Sequence, residues 1–359
     1  SDIFSDSLLC DNITDVQQSA HIFVARELNL CYTEANIQNN VHWVWFAMAS
    51  YRDVLMLKNG KIILTLAREF LNYSPGDRIP TIEQYAKRFS AGRGTVQSAL
   101  KFLQKIGAVA LESRGHLGTF VVTISDKVLW EVADFGTIMA VMPLPYSARY
   151  EGLATGLSSA FEAAGLPFSL AFMRGATKRI NALIEGKYNI AVMSKLAARL
   201  EMEKGAPITV MYEFEPHTYV QDHVVVFRDS AATKIEAGMR VAIDPASVDQ
   251  LILTCYECQG IEVNYIETPY TQILQKLDSG QLDAAVWNLD EVREKNLAYN
   301  LCPLAKEKSR KVARDDTIAV LVVKSEESMA IKFLKRCLDF DHIKKVQQQV
   351  LKREIIPAY

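Results

Sequence analysis

Residues 87–121, KRFSAGRGTVQSALKFLQKIGAVALESRGHLGTFV, leave their backbone few options. Just before them, Thr81 is placed to cap a first helix over IEQYAKRF, in which Ile82, Tyr85 and Phe89 recur at helical spacing and mark a buried face. Ser90 to Gly94 break that helix. Thr95 is placed to cap a second, whose Val96, Ala99, Leu100, Leu103 and Ile106 form one apolar stripe and leave Gln97, Ser98 and Lys101 outward. Gly107 ends it. Strands AVALES and TFVVTI then flank the tip RGHLG, whose two glycines permit the positive φ of a reversal. Two helices across a tight turn, followed by a hairpin, make a winged helix-turn-helix, an arrangement that seats one helix in a DNA major groove.

The charge distribution points the same way, although the net charge of −2 conceals it. Between Lys58 and His116 ten Lys or Arg face four acids, a surplus of six. Residues 1–57 carry two arginines against seven acids. A basic middle of this kind steers toward phosphate and implies salt-sensitive binding.

The segment GRGTVQSALKFLQKIGAVALESRGHLGTFV resembles the winged helix of GntR-type regulators, whose pattern runs Ser-Arg-x-Thr-Val-Arg, then Ala-Leu, Leu, Gly and a Gly-x-Gly-Thr-Phe-Val wing. The resemblance implies that Arg93 reaches a base edge or a phosphate, and that Thr95 combines a helix cap with a phosphate contact. Lys87, Arg88 and Lys101 are phosphate contacts or ordinary surface charges, and Arg114 and His116 at the wing tip are suited to the minor groove or the backbone. Two positions depart from the pattern. Gly92 stands in place of Ser, and Gln97 in place of Arg. Glutamine pairs bidentately with adenine where arginine prefers guanine, so a changed operator preference is expected.

At 359 residues the chain has room for two or three domains. No apolar run is long enough to span a bilayer and no basic-then-apolar leader is present, so a cytoplasmic protein is expected. The six cysteines are scattered, and Cys255 and Cys258 alone have a spacing that suits redox or metal chemistry. They fall late in an expected helix with no second such pair or His pair nearby, so they read as structural thiols. Neither a metal nor a cofactor is expected.

From about Asp134 short apolar strands alternate with amphipathic helices, the texture of an α/β architecture. The segments GKYNIAVMS and GQLDAAVWN, each a helix-ending glycine followed by a small-residue strand, together with VAIDPASVDQ, resemble the type II periplasmic-binding-protein fold used as an effector sensor in transcription factors. The run VMPLPYSARYEGLATGL with FMRGA, YNIAVMSKLAA, PHTYV and LDAAVWN resembles the YhfZ family of GntR-like regulators more closely, over about residues 60–359. The fold class expected is therefore a two-lobed α/β domain preceded by an α+β winged helix-turn-helix and an N-terminal helical segment. Its expected parts are a helical, dimer-forming segment over 1–57, the winged helix over 58–125, and a sensor over 134–359. Within the sensor the first lobe takes about 134–220 and 316–359, and the second about 237–315.

In open α/β sheets ligands sit beyond the carboxyl ends of strands, where helix N-termini present free N–H groups and partial positive charge. Arg174, at a strand end before a glycine and a helix, suits a carboxylate or phosphate, or else a surface ion pair. Tyr146 and Arg149 lie beside the rigid PLP loop and cover a ligand or pack the lobes. Ser194 and Ser247 are donors or helix caps. Asp244 suits a ligand hydroxyl or amine, and Trp287 with Asn288 suits stacking and hydrogen bonding, or burial for the tryptophan. His217 and Tyr219 fall near the crossover between lobes, where hinge and pocket roles are both open. The expected function is a non-enzymatic, ligand-responsive regulator: a homodimeric repressor that binds double-stranded operator DNA and a small, anionic effector, with no membrane partner. A solute-binding protein or an enzyme on the same fold is the alternative.

Overall fold

The computed structural model describes residues 58–326 and 328–359. The segment expected to be helical and dimer-forming, 1–57, lies outside the described residues.

The chain begins with α1 (Lys58–Phe70), which buries Ile62, Leu66, Ala67 and Phe70, and passes through β1 (Arg78–Ile79) into α2 (Ile82–Arg88). Thr81 caps α2 in a reciprocal box: its hydroxyl accepts from the Gln84 N–H at 3.2 Å, and the Gln84 side chain accepts from the Thr81 N–H at 2.8 Å. Next, α3 (Arg93–Lys105) buries Val96, Ala99, Leu100 and Leu103. It starts two residues before the expected cap, because the Gly92 carbonyl already accepts from the N–H groups of Thr95 and Val96. Thr95 thus lies inside the first turn and Gly92 is the cap residue. The wing, β2 (Val109–Ser113) and β3 (Thr119–Ile124), joins β1 in a three-stranded antiparallel sheet of order β1-β3-β2.

From there, α4 (Asp126–Ala133) leads to the first lobe: β4 (Ile138–Met142), α5 (Ala148–Ala163), β5 (Phe168–Phe172), α6 (Ala176–Ile184), β6 (Ile190–Ser194), α7 (Lys195–Glu203) and β7 (Ile208–Glu213). The second lobe holds β8 (His223–Phe227), β9 (Arg240–Ile243), α8 (Val248–Glu257), β10 (Asn264–Glu267), α9 (Ile273–Asp278), β11 (Ala284–Asn288), α10 (Leu289–Glu294), β12 (Asn300–Pro303) and α11 (Glu307–Asp316). The chain then returns to the first lobe as β13 (Ala319–Lys324), α12 (Ser328–Cys337) and α13 (Phe340–Leu351).

Each lobe has a mixed five-stranded sheet, β5-β4-β6-β13-β7 in the first and β10-β9-β11-β8-β12 in the second. Each contains one strand, β13 or β8, that arrives from the other lobe and runs antiparallel to its neighbours. This is the two-lobed architecture of type II periplasmic binding proteins. Because β8 pairs with β11 and β12, the second lobe begins at His223, inside the stretch between the two expected ranges. The two crossovers are tied together: the Tyr219 N–H donates to the Thr317 carbonyl at 2.9 Å and the Ala319 N–H to the Thr218 hydroxyl at 3.0 Å.

The winged helix-turn-helix head is not strung on a free linker. One continuous apolar core runs from Leu66, Phe70 and Leu103 through Leu129 and Ala133 to Ile138, Phe161 and Phe333 of the first lobe. Trp130 on α4 stacks on Phe333 of α12 with ring centres 5.0 Å apart. Arg336 of α12 pairs with Asp126 and donates to the carbonyls of Leu71 and Tyr73, both at 3.1 Å. On the far side α13 lies directly against α5, and the contact requires glycine: a Cβ on Gly156 would stand 2.6 Å from the Ile343 carbonyl oxygen.

Candidate functional site

The carboxyl ends of β4, β5, β9 and β11 converge between the lobes on a cavity of about 80 Å³. Tyr146, Arg174, Ser247 and Asn288, four of the residues anticipated for a ligand site, line it. Tyr146 faces Tyr270 across the cleft at 5.9 Å, and its hydroxyl is buried without a partner. Arg174 reaches from the first lobe to Asp244 in the second at 2.5 Å while its Nε stays unpartnered. Asn288 caps α10, its Oδ1 accepting from the Asp290 N–H at 2.8 Å. Ser247 stands at the start of α8 and makes no side-chain cap bond.

The other four lie outside the cavity wall, each engaged by protein. Arg149 is buried against Asp290 of the second lobe, with Nε–Oδ2 at 3.1 Å and Nη2–Oδ1 at 3.3 Å, and it also donates to Gln221 and the His217 carbonyl. Ser194 donates to Asp249 at 2.7 Å and accepts from the Ala197 N–H. Asp244 accepts from Arg174 and from the N–H groups of Tyr270 and Ala246. Trp287 is buried behind Tyr270 in a stacked pair with ring centres 3.7 Å apart.

Five further lining residues were not visible as site residues in the sequence: Arg179, Tyr150, Tyr270, His223 and Asp249. They form the polar floor. His223 Nδ1 lies 2.5 Å from Asp316, close in distance though poorly aligned for a hydrogen bond. Burial works against charge on His223, but Asp316, Asp249 and Asp222 outweigh it and raise the imidazole above its usual pKa. Burial, then the proximity of Asp316, holds the Asp249 carboxyl well above its usual value of 3.8. The Tyr150 and Tyr270 hydroxyls are pushed up by burial and stay protonated.

Both shifts have the same sign. The fold keeps a proton on Asp249 that the unfolded chain releases above about pH 4. It also keeps one on His223 that the unfolded chain releases above about 6.5, so stability falls as pH rises through these windows. Asp249→Asn removes the carboxyl's share and retains an acceptor for Ser194. Its thermal midpoint is expected to fall less than the wild type's between pH 4 and 6, with the histidine's share left above that. Parallel midpoint curves for the two proteins would contradict this.

A second surface is the exposed face of α3. Arg93, Gln97 and Lys101 lie there in solvent, and none of them forms an ion pair among the described residues. Thr95 is half-buried beside them, and Lys87 and His116 are exposed. Two anticipated contacts are already engaged. Arg88 pairs with Glu69 and lies over the rings of Tyr85 and Phe89, and Arg114 pairs with Glu112 at 2.6 Å while lying over Phe120. Cys255 sits on α8 and Cys258 caps its carboxyl end, and burial pushes the Cys258 thiol up to about 12, far from thiolate chemistry at neutral pH.

A helix-turn-helix DNA-binding domain carried on a two-lobed domain of the periplasmic-binding-protein type defines the class of this protein. Residues 74–121 match a helix-turn-helix domain and residues 126–359 match the YhfZ C-terminal domain. YhfZ of Escherichia coli (strain K12) is 34% identical over 310 residues, covering 86% of this chain and 100% of that protein. The crystal structure of YhfZ from Shigella flexneri covers 65% of this chain and 98% of its own, at 32% identity and a TM-score of 0.54. The chain belongs to the YhfZ family.

Proposed function

We propose that this protein is a ligand-responsive transcriptional regulator, a dimeric repressor whose cleft takes a small effector and whose paired winged helices hold operator DNA. The observation that carries this reading is the rigid mounting of the head on the first lobe through α4, α12 and Arg336. A change in the angle between the lobes is then a change in what the head is fixed to. Operator half-sites lie about 34 Å apart, one helical turn, so a small displacement of one head relative to the other weakens a two-headed complex.

The test is selection of operator sequences from random DNA with the full chain, followed by gel shifts across salt concentrations. The expected result is a selected sequence bound at least tenfold tighter than random DNA, with affinity falling steeply as salt rises. Equal binding to both ends the proposal. Gly175→Ala adds a test of lobe closure. Gly175 has φ +88°, and a Cβ there would stand 2.8 Å from the Ala246 carbonyl oxygen across the cleft. The variant is expected to bind operator normally and to lose its response to effector.

A further inference from the structure

Arg179 occupies an unusual place for a cation. It is 3% exposed, it lines the cavity, and its donors go to the Val192 carbonyl (3.1 Å), the Met173 carbonyl (2.9 Å) and the Tyr219 hydroxyl (3.4 Å). None of these acceptors carries a charge, and no carboxylate stands within ion-pair distance of it among the described residues. Removing a guanidinium from water without a counter-ion is unfavourable, and carbonyl dipoles only partly offset it.

The surroundings supply more positive potential. The N-termini of α6 and α8 enter the cavity from opposite lobes, bringing Gly175, Ala176, Ser247 and Val248 to its wall. Neither helix has a side chain capping its first-turn N–H groups. Such ends attract anions. Arg174 is paired with Asp244, and His223 lies against Asp316. Burial favours the neutral form of the Asp249 carboxyl. Of the cations lining the cavity, Arg179 alone has no carboxylate partner among the described residues.

We propose that the cleft binds a small monocarboxylate, its carboxylate seated on Arg179 between the N-termini of α6 and α8. This rests on reading the cleft as the effector site and adds the class of ligand. A single guanidinium without a carboxylate partner suits a monoanion better than a phosphate dianion. The volume of about 80 Å³ is roughly half of the 150 Å³ or so that holds benzene, which leaves space for an acid of about two to four carbons. The unpartnered Tyr146 hydroxyl is placed for a hydroxyl or keto oxygen on that acid.

The experiment titrates the full-length protein at neutral pH and constant ionic strength with acetate, glycolate, pyruvate and butyrate, and with acetamide, methylammonium and inorganic phosphate. Binding is read by calorimetry and by the thermal midpoint. At least one carboxylate is expected to bind saturably and raise the midpoint, with no effect of acetamide or methylammonium and a weaker effect of phosphate. The proposal is overturned if no carboxylate binds, if acetamide binds as well as acetate, or if phosphate binds more tightly than every carboxylate. Arg179→Lys keeps the charge and loses the planar fork, and it is expected to weaken carboxylate binding at least tenfold with an unchanged circular dichroism spectrum. Unchanged affinity in that variant overturns the assignment of Arg179, and the probe series on the wild type stands whether or not the variant folds. Operator binding is followed in parallel. Carboxylates that bind without altering the DNA complex would sink the regulatory reading and leave the ligand class standing, whereas a DNA complex that responds only to another class of molecule would do the reverse.

Discussion

Arg149→Met is expected to destabilise the protein by about 3–5 kcal/mol, the usual result of stripping the partner from a buried charge, and to lower the thermal midpoint by roughly 10 °C. Arg149 comes from α5 in the first lobe and Asp290 from α10 in the second, and both side chains are about nine-tenths buried. The same guanidinium holds the His217 carbonyl and Gln221, so it fastens both lobes and the first crossover at one point. In the variant, Asp290 keeps only the Gln221 N–H at 2.7 Å. Its carboxylate must then either stay charged in a dry place or take up a proton, and both are costly. Arg149→Met/Asp290→Leu removes both charges and should recover most of the loss, since a buried ion pair is often no better than a hydrophobic pair of similar volume. Thermal unfolding of the wild type, the single variant and the double variant decides the matter. If the double variant is as unstable as the single one, the cost lies in the lost crossover contacts and not in the orphaned carboxylate.

That pair also shows where sequence reading reaches its limit. Local periodicity is legible in a sequence because it is set by neighbours: the stripe Val96, Ala99, Leu100 and Leu103 does face the core of the head, and GKYNIAVMS and GQLDAAVWN do end in the strands β6 and β11 at the lobe interface. Whether an arginine waits for a ligand or is already engaged is set by residues far along the chain. Arg149 and Asp290 are 141 positions apart, and Arg174 and Asp244 are 70 apart. Nothing in RYEGL marks the first as a clasp. Arg179 is the converse case, because in ATKRINALI it reads as one more cation on an amphipathic helix, and only the fold shows that its helix face is turned into the cleft. The cluster of His223, Asp249 and Asp316 was hidden for the same reason: it is assembled from the start of one strand, the start of one helix and the end of another. Even the capping of α3 was decided by a backbone carbonyl, at Gly92, that a search for capping side chains passes over.

On the DNA side the largest effect is expected from Arg93→Ala, which should weaken binding to the selected operator by roughly tenfold to a hundredfold, as losing a bidentate base contact of about 1–3 kcal/mol implies. Arg93 opens α3, is exposed and forms no ion pair among the described residues, so its guanidinium is free to enter a groove without first breaking a contact. Arg88 and Arg114 differ, since each would have to leave a carboxylate and an aromatic face. Their alanine variants should therefore cost less than that of Arg93. Base reading and phosphate contact separate in the pattern of the loss. A base contact is lost mainly on the selected operator, which narrows its advantage over random DNA, whereas a phosphate contact is lost on both and lowers the salt slope by about one. The expectation is the first pattern. Gln97→Arg, one turn along the same face, should then move the preferred base at one position of each half-site from adenine to guanine with overall affinity kept. A uniform loss in Arg93→Ala, together with unchanged base preference in Gln97→Arg, would mean that α3 grips the backbone and that the operator is read elsewhere.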